Sequence, residues 1–485
     1  MPGYPVVARA SSLQEATPAG WRRFIAYLFV YMTFEGILRR SFPFYNLEIL
    51  LLKDAALFVF YVYFLLFVYP NMLRWPYRDQ TLTCLVALFV AVNVLGMINA
   101  GGGYLVPIII GLKANFWYVP LFFIGRRYFY NYSQIRRFWR GLAWLLIPVA
   151  AVAVWQVLFG QYNAYALPTS SVTAEDWAAA GSGSLRNNVD GTSIAMVSST
   201  FFGARLAVFA AVWVPIVVVL CMSEEKRSAI FRTPYLYIGL TCSIVGLFFA
   251  ANRTAVAMVI LAIALLLVIA PWRNSIRFLL RITGIAALVV MSAGIYRATT
   301  TTDLLADRFQ AFTSFLSGLL DAPAYDVQSS RYAVVGTEVL RGVEFALAEV
   351  GPFGRGLGLM TQGTMYVNNG LAPTFDVQKA RDAQADSQWV RLTVELGIPG
   401  ILLFAAIAAC LLWRAAADAW RASQRSWIEG LTASLAPILL IIYLGLGHKH
   451  AGFAEDPMLQ CYVYFTLGAC AGVAARKNGR RRAAS

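Results

Sequence analysis

Long apolar runs recur along nearly the whole chain, and they constrain the fold more than any other feature. Clear examples are residues 55–69, 142–159, 204–222, 256–270 and 401–413. A helix needs about 20 predominantly apolar residues to cross the hydrocarbon core of a bilayer. Hydrophobic residues make up 59% of the chain and charged residues 13%, whereas soluble domains carry about 25% charged residues. The sequence therefore predicts an integral membrane protein.

The spacing of these runs predicts an all-α, polytopic fold with about twelve transmembrane helices. The predicted helices lie near residues 23–39, 47–69, 81–99, 104–124, 141–160, 194–222, 235–251, 253–271, 276–296, 389–414, 430–447 and 456–474. The first helix carries Glu35 and the fourth carries Lys113. Charged side chains in such helices usually face the protein interior.

Basic residues in the short connections predict the orientation, because lysine and arginine accumulate on the cytoplasmic side. They fall mainly on alternate connections, such as 126–140, and on the tail at 475–485. This distribution predicts an even number of helices with both termini in the cytoplasm. The net charge of +15 is then explained by insertion, and the short basic runs between apolar segments argue against nucleic acid as a partner.

The predicted organisation has two long segments on the outer side of the membrane. Its parts are a cytoplasmic tail at 1–22, nine helices over 23–296 with an outer loop at 161–193, a larger outer loop at 297–388, three helices over 389–474, and the basic cytoplasmic tail at 475–485. Loops beyond about 15 residues are usually functional or disordered. The larger loop is predicted to hold a helical stretch at 330–349 and then a glycine-rich turn at 351–358, and so to cap the outer side.

Arginines on the outer side stand out, because positive charge is disfavoured there. Arg253 follows Asn252 at the outer junction of two predicted helices. A guanidinium can hold a phosphate through two parallel hydrogen bonds, although snorkelling to lipid headgroups would also explain it. Arg205 lies near the outer end of another helix, and Arg331 and Arg355 lie in the large loop. Arg205 could line the same cavity as Arg253, whereas Arg331 and Arg355 are either functional or solvated surface residues.

The segment from Asp386 onwards is the most distinctive in the chain. Asp386 or Ser387 can cap the helix that follows, and a helix N-terminus at the outer surface favours anions. Arg391 and Glu395 are spaced i, i+4 and so share a helix face. Capping alone would explain Asp386. A second role, accepting a proton from a substrate hydroxyl, needs a partly desolvated carboxylate.

Motifs for other chemistries are weak or absent. The chain has two histidines, His448 and His450, on a predicted outer loop. No third ligand is evident, so no metal site is predicted, but either histidine could replace Asp386 as a base. No glycine-rich phosphate loop follows a strand. The cysteines lie in apolar segments and show neither a disulfide framework nor a metal spacing.

In their order, these motifs resemble the O-antigen polymerase and ligase superfamily, whose members build bacterial surface polysaccharides. The resemblance is carried by the glycine-rich turn Gly354-Arg-Gly-Leu-Gly, the pair Asp386-Ser387, the helix end Glu395-Leu-Gly-Ile-Pro-Gly, the helix start Asn252-Arg253-Thr254, and Arg331 at the start of the loop helix. The resemblance implies a GT-C-like fold in the bacterial inner membrane, with an active site on the periplasmic face.

The implied reaction is glycosyl transfer from undecaprenyl diphosphate. The acceptor is a sugar hydroxyl of another lipid-linked repeat unit or, in a ligase, of a lipid A core. No cofactor or nucleotide sugar is needed, because the diphosphate leaving group carries the activation. Besides the lipid bilayer, the resemblance implies chain-length regulator and flippase proteins as partners.

The resemblance also implies roles for individual residues. Arg253 and Arg331 would stabilise charge on the departing diphosphate, and Asp386 would deprotonate or orient the acceptor. The implied substrate contacts are Arg205, Asn252, Arg355, Ser387, Gln388 and Arg391. Ligases of this family typically carry histidine where this chain has Asp386, so a polymerase is favoured over a ligase. A flippase is the rival from another class, but it should show related halves, and none are evident.

Overall fold

The computed structural model describes residues 20–42, 45–68, 80–100, 105–159, 186–189, 192–195, 203–223, 234–250, 253–271, 276, 280, 340, 342–344, 346–348, 350–361, 387–449 and 454–484. The following account concerns these residues.

The described chain is almost entirely helical. Its first half contains α1 (Gly20–Ser41), α2 (Asn46–Tyr63) with a π-helical turn (Phe64–Val68), α3 (Gln80–Ala100), α4 (Leu105–Phe116), α5 (Pro120–Tyr128), α6 (Tyr132–Leu142), a 3₁₀ turn (Ala143–Leu145) and α7 (Leu146–Phe159). A two-stranded antiparallel hairpin follows, made of β1 (Arg186–Val189) and β2 (Thr192–Ala195). The remaining helices are α8 (Gly203–Met222), α9 (Pro234–Ala250), α10 (Arg253–Ile269), α11 (Gln388–Ser423), α12 (Trp427–Ala433), α13 (Leu435–Lys449) and α14 (Pro457–Ala484).

Six helical segments among the described residues are long and apolar enough to cross a membrane. They are Leu51–Val68, Thr81–Asn99, Leu105–Tyr128, Gln388–Ser423, Trp427–His448 and Pro457–Lys477. Three shorter apolar helices accompany them, at Leu206–Met222, Tyr235–Ile244 and Thr254–Ile269. These findings are consistent with the predicted all-α membrane fold. Most of the predicted helix at 276–296 and most of the predicted loop at 297–388 lie outside the described residues.

One predicted helix begins later than expected. The prediction started it at residue 194, whereas Thr192–Ala195 form a strand and α8 starts at Gly203. The two strands flank Asp190-Gly191 in the sequence, and Asp-Gly is a strong signal for a two-residue hairpin turn. The apolar character of the residues after the turn was therefore mistaken for the start of the helix.

The core is built around α8. Every residue from Leu206 to Met222 is buried. Within this helix, Trp213 Nε1 donates a hydrogen bond to Tyr462 Oη at 3.0 Å. Helices α5 and α14 approach closely through small residues, since a Cβ on Gly468 would lie 1.9 Å from the carbonyl oxygen of Phe122. Such glycine contacts are typical of helix packing in membranes.

Helix α11 folds back on itself at Gly397. This residue has φ 68° and ψ −162°, outside the helical region. The rings of Trp389 and Phe404 lie 5.6 Å apart, whereas fifteen residues of straight helix would separate them by about 22 Å. Residues 388–396 therefore form a separate half-helix, which a sharp bend at Gly397 joins to the span that begins at Ile398. The helix predicted at 389–414 is consequently two elements, and its first turns do not belong to the span.

Candidate functional site

The half-helix at 388–396 packs against the glycine-rich turn predicted at 351–358. Arg355 N donates to the carbonyl oxygen of Val394 at 2.8 Å, and Ile398 N donates to that of Pro352 at 2.9 Å. Gly354 has φ 75°, and a Cβ there would lie 2.8 Å from the main chain of Glu395. Two motifs of the family resemblance, the glycine-rich turn and the helix end that starts at Glu395, are thus in direct contact.

The same turn also contacts α3 and α4. Leu357 N donates to the carbonyl oxygen of Gly96 at 3.0 Å. Gly358 has φ 87°, and a Cβ there would lie 1.9 Å from the carbonyl oxygen of Pro107. Since α3 and α4 belong to the membrane-length segments Thr81–Asn99 and Leu105–Tyr128, the turn is wedged between helices. The prediction that it belongs to a loop that caps the outer side stays a prediction, and its described residues take part in the helix packing.

One face of the half-helix is buried and polar. Gln388, Arg391 and Glu395 lie on this face, and their exposed fractions are 5%, 1% and 0%. Each carries one buried polar atom without a hydrogen-bond partner among the described residues, namely Gln388 Oε1, Arg391 Nε and Glu395 Oε2. Buried polar atoms are normally paired, so this face is chemically suited to a polar ligand or to ordered water.

The N-terminus of the half-helix is enclosed by other elements. Ser387, which is 2% exposed, caps it by accepting a hydrogen bond on Oγ from Trp389 N at 3.1 Å. A Cβ on Gly447, near the end of α13, would lie 3.6 Å from Gln388 Cβ. The end of α13 that carries His448 therefore lies beside the start of the half-helix.

Arg391 is the centre of a hydrogen-bond network. Its Nη1 donates to Glu455 Oε1 at 2.9 Å and lies 3.5 Å from Thr361 Oγ1, and its Nη2 donates to Asn115 Oδ1 at 2.7 Å. Thr361 Oγ1 in turn donates to Glu395 Oε1 at 2.8 Å. The half-helix, the turn, α4 and the connection before α14 therefore meet at one guanidinium.

A second group of charges is buried among α1, α2 and α4. Lys53 Nζ donates to Glu35 Oε1 at 2.6 Å, with both side chains almost fully buried. Asp54 accepts from Lys113 and, at 3.3 Å, from Tyr118 Oη. Intramembrane charges of this kind are costly unless they are paired. The prediction that Glu35 and Lys113 face the interior agrees with these contacts.

The structure brings some of the predicted site residues together. Ser387, Gln388 and Arg391 share the half-helix, and Arg355 lies in the turn beside it. Asp386, Asn252 and Arg331 lie outside the described residues. The main chain of Arg253 starts α10 and that of Arg205 lies in the first turn of α8, but their side chains lie outside the described part.

Helix α10 begins at the end of the bundle where the half-helix begins. A Cβ on Gly445 would lie 2.2 Å from Met258 Sδ, so the second turn of α10 packs against the last turns of α13. Gly447, two residues further along α13, contacts Gln388. Arg253 precedes Met258 along α10, so its main chain lies at the same end of the bundle as the start of the half-helix.

Three residues of the network were not predicted from the sequence. They are Asn115 and Glu455, which accept hydrogen bonds from Arg391, and Thr361, whose Oγ1 lies 3.5 Å from Arg391 Nη1. A signal for Asn115 existed, since an amide in an apolar helix normally faces the protein interior. Among the described residues, no group of three or more His, Cys, Asp or Glu side chains could hold a metal ion.

Comparison with known protein families and curated proteins finds no relative. No family model matches the chain, and no curated protein matches it. The fold and the site therefore define the class only as an all-α protein with membrane-length helices and a buried polar site at one end of the bundle.

The fold-back at Gly397 can be tested by cross-linking. Disulfides join Cβ atoms that lie about 3.5–4.5 Å apart, and the Gln388 and Gly447 positions meet this condition. The double variant Gln388→Cys/Gly447→Cys is expected to form a disulfide on mild oxidation, detected by mass spectrometry of the linked peptides. Each single variant is the control. Lack of the linked peptide under conditions that oxidise both thiols would contradict the contact.

Proposed function

We propose that the chain is a membrane glycosyltransferase that polymerises polysaccharide repeat units at the periplasmic face of a bacterial inner membrane. Its donor is a glycan on undecaprenyl diphosphate, and its acceptor is a sugar hydroxyl of a second lipid-linked repeat. The proposal includes a GT-C-like fold with about twelve spans, as the apolar pattern predicts.

The observation that carries this proposal is the buried start of the half-helix. Discontinuous membrane helices present N-termini whose dipoles favour anionic substrate groups. Here such a terminus begins at Ser387 and directly follows Asp386. The half-helix is held at its opposite end, at Val394 and Glu395, by the glycine-rich turn that carries part of the family resemblance. A diphosphate and a carboxylate base would thus act at one position, on the end of the bundle that the basic residues assign to the periplasm.

The reaction balances without an added reagent. The acceptor hydroxyl oxygen attacks the anomeric carbon of the donor, and the bond from that carbon to the diphosphate oxygen breaks. The hydroxyl proton passes to Asp386, and undecaprenyl diphosphate leaves as an anion. Arg253 and Arg331 stabilise the charge that develops on it, while Gln388, Ser387, Asn252, Arg205 and Arg355 are the proposed contacts to donor and acceptor.

A flippase of lipid-linked glycans is the second candidate. It is favoured by the ion pairs Lys53–Glu35 and Lys113–Asp54. Lys53, Asp54 and Lys113 lie within membrane-length segments, and intramembrane charges often mark a transport pathway. The site at the half-helix favours the transferase, since it gathers the polar groups at one end of the bundle. Both candidates use the same lipid-linked substrate class.

The deciding experiment reconstitutes the full chain in vesicles with a defined lipid-linked repeat unit. A ladder of products indicates a polymerase, a single transfer to lipid A core indicates a ligase, and movement of substrate without new bonds indicates a flippase. Arg253→Ala and Asp386→Ala are each expected to lower chain extension about 10²-fold or more, as loss of one charge-stabilising group does. Arg421→Ala, on an exposed residue (side chain 58% exposed), is the control. Full extension by Asp386→Ala would refute the base assignment.

A further inference from the structure

We propose that Arg391 is a positioning residue and not a substrate contact. In this inference, which rests on the proposed function, Arg391 clamps α4 and the connection before α14 to the half-helix. Three of the elements that surround the site are then held at fixed distances by one buried cation.

The first half of the clamp is the ion pair with Glu455. Arg391 Nη1 donates to Glu455 Oε1 at 2.9 Å, and the two side chains are 1% and 9% exposed. A buried pair is strong only when its geometry is good and its remaining polar atoms are bonded. Here the same Nη1 also lies 3.5 Å from Thr361. Nη1 and Nη2 both bond protein groups, and only the buried Nε lacks a partner among the described residues. Because the side chain is 1% exposed, the guanidinium presents almost no surface to a diphosphate, and Nε is left for ordered water or a small polar group.

The second half of the clamp is a directional amide chain. Arg391 can only donate, so Asn115 accepts on Oδ1 at 2.7 Å. This fixes the amide of Asn115, whose Nδ2 donates to Asn93 Oδ1 at 2.8 Å, and Asn93 donates to the carbonyl oxygen of Phe89 at 2.8 Å. The orientation of Arg391 is thereby fixed by α3 and α4.

The connection before α14 is tied to the same position by a separate residue. Gln460 Nε2 donates to the carbonyl oxygens of Ala114 at 2.9 Å and Ala454 at 2.6 Å. Ala454 lies beside Gly447, which contacts Gln388. The clamp therefore sets the distance between the start of the half-helix and the end of α13, where His448 lies.

The kinetic test separates positioning from binding. In the reconstituted polymerisation assay, Arg391→Gln is expected to lower kcat about 10²-fold, the effect of a small misplacement of reacting groups, with KM for the donor changed less than about threefold. Arg391→Lys is expected to recover part of kcat, because lysine keeps the charge but not the planar fork. A raised KM with unchanged kcat would show that Arg391 binds substrate and would overturn the proposal. Unchanged kcat and KM would also overturn it.

A second measurement does not depend on activity. Leu459 N donates to Asp456 Oδ1 and Gln460 N to the carbonyl oxygen of Asp456, beside the clamp. In Arg391→Gln, hydrogen exchange of these two amides is expected to be at least about tenfold faster, while the amides of α12 stay unchanged. Unchanged exchange would overturn the clamp even if polymerisation is observed. If the wild-type chain shows no transferase activity but these amides still exchange faster in Arg391→Gln, the clamp is retained and the proposed function is rejected.

Discussion

Replacing Lys53 with methionine is expected to lower the free energy of unfolding by about 3–5 kcal/mol, because it leaves the buried Glu35 carboxylate without its cation. Lys53 and Glu35 have side chains 0% and 3% exposed, and their charged atoms lie 2.6 Å apart. The measurement is SDS-driven unfolding of the purified chain in mixed micelles, followed by circular dichroism.

Two further variants make this expectation specific to the ion pair. The double variant Lys53→Met/Glu35→Leu replaces both charges with apolar groups and is expected to recover most of the loss, since such replacements are often neutral or stabilising. Arg421→Met removes a cation from the exposed pair with Asp418 and is expected to cost at most about 1 kcal/mol. If the double variant were as unstable as the single one, the loss would come from packing around Lys53 and not from the unpaired charge.

Local composition predicted the membrane-length helices well. Predominantly apolar runs at Leu51–Val68, Thr81–Asn99 and Leu105–Tyr128 suffice for this, because a helix satisfies its own backbone hydrogen bonds in lipid. The partners of charged residues were not predictable in the same way. Arg391 and Glu455 are 64 residues apart in the chain, and no local pattern relates them.

The fold-back of α11 escaped prediction for a different reason. The immediate neighbours of Gly397, Leu396 and Ile398, are apolar and helix-compatible, so hydropathy alone does not mark the bend. A weaker signal lay in Glu395-Leu-Gly-Ile-Pro-Gly. Glycine is favoured just after a helix end and proline at the start of the next helix, so this sequence ends one helix and begins another. The half-helix follows from that sequence, but its burial depends on the turn at 351–358, which only the tertiary structure brings into contact.

Replacing Gly358 or Gly397 with alanine is expected to lower the free energy of unfolding more than adding a methyl group anywhere else in the site. Gly358 has φ 87° and Gly397 φ 68°, and an added Cβ would lie 1.9 Å from Pro107 O and 2.2 Å from Pro352 O. Left-handed backbone costs a residue with a Cβ about 1–2 kcal/mol, and overpacking typically adds about 1–3 kcal/mol. Because the contacts are main-chain carbonyls, relief requires the main chain of α4 (for Gly358) or of the turn (for Gly397) to shift.

The matched control is Gly351→Ala. Gly351 also has a positive φ, 81°, but an added Cβ would meet nothing within 4 Å among the described residues. It should therefore lose only the conformational part, about 1–2 kcal/mol, whereas Gly358→Ala and Gly397→Ala should each lose about 2–5 kcal/mol. SDS-driven unfolding in mixed micelles measures all three variants, and the Gln388→Cys/Gly447→Cys cross-link reports whether the half-helix keeps its place. Equal losses in the three variants would mean that backbone strain alone matters and that the turn is not wedged between α4 and the half-helix. A larger loss of unfolding free energy in Gly358→Ala and Gly397→Ala than in Gly351→Ala would instead show that the close approach of the turn stabilises the fold. A lower cross-link yield in Gly397→Ala would show that the same close approach holds the half-helix in place.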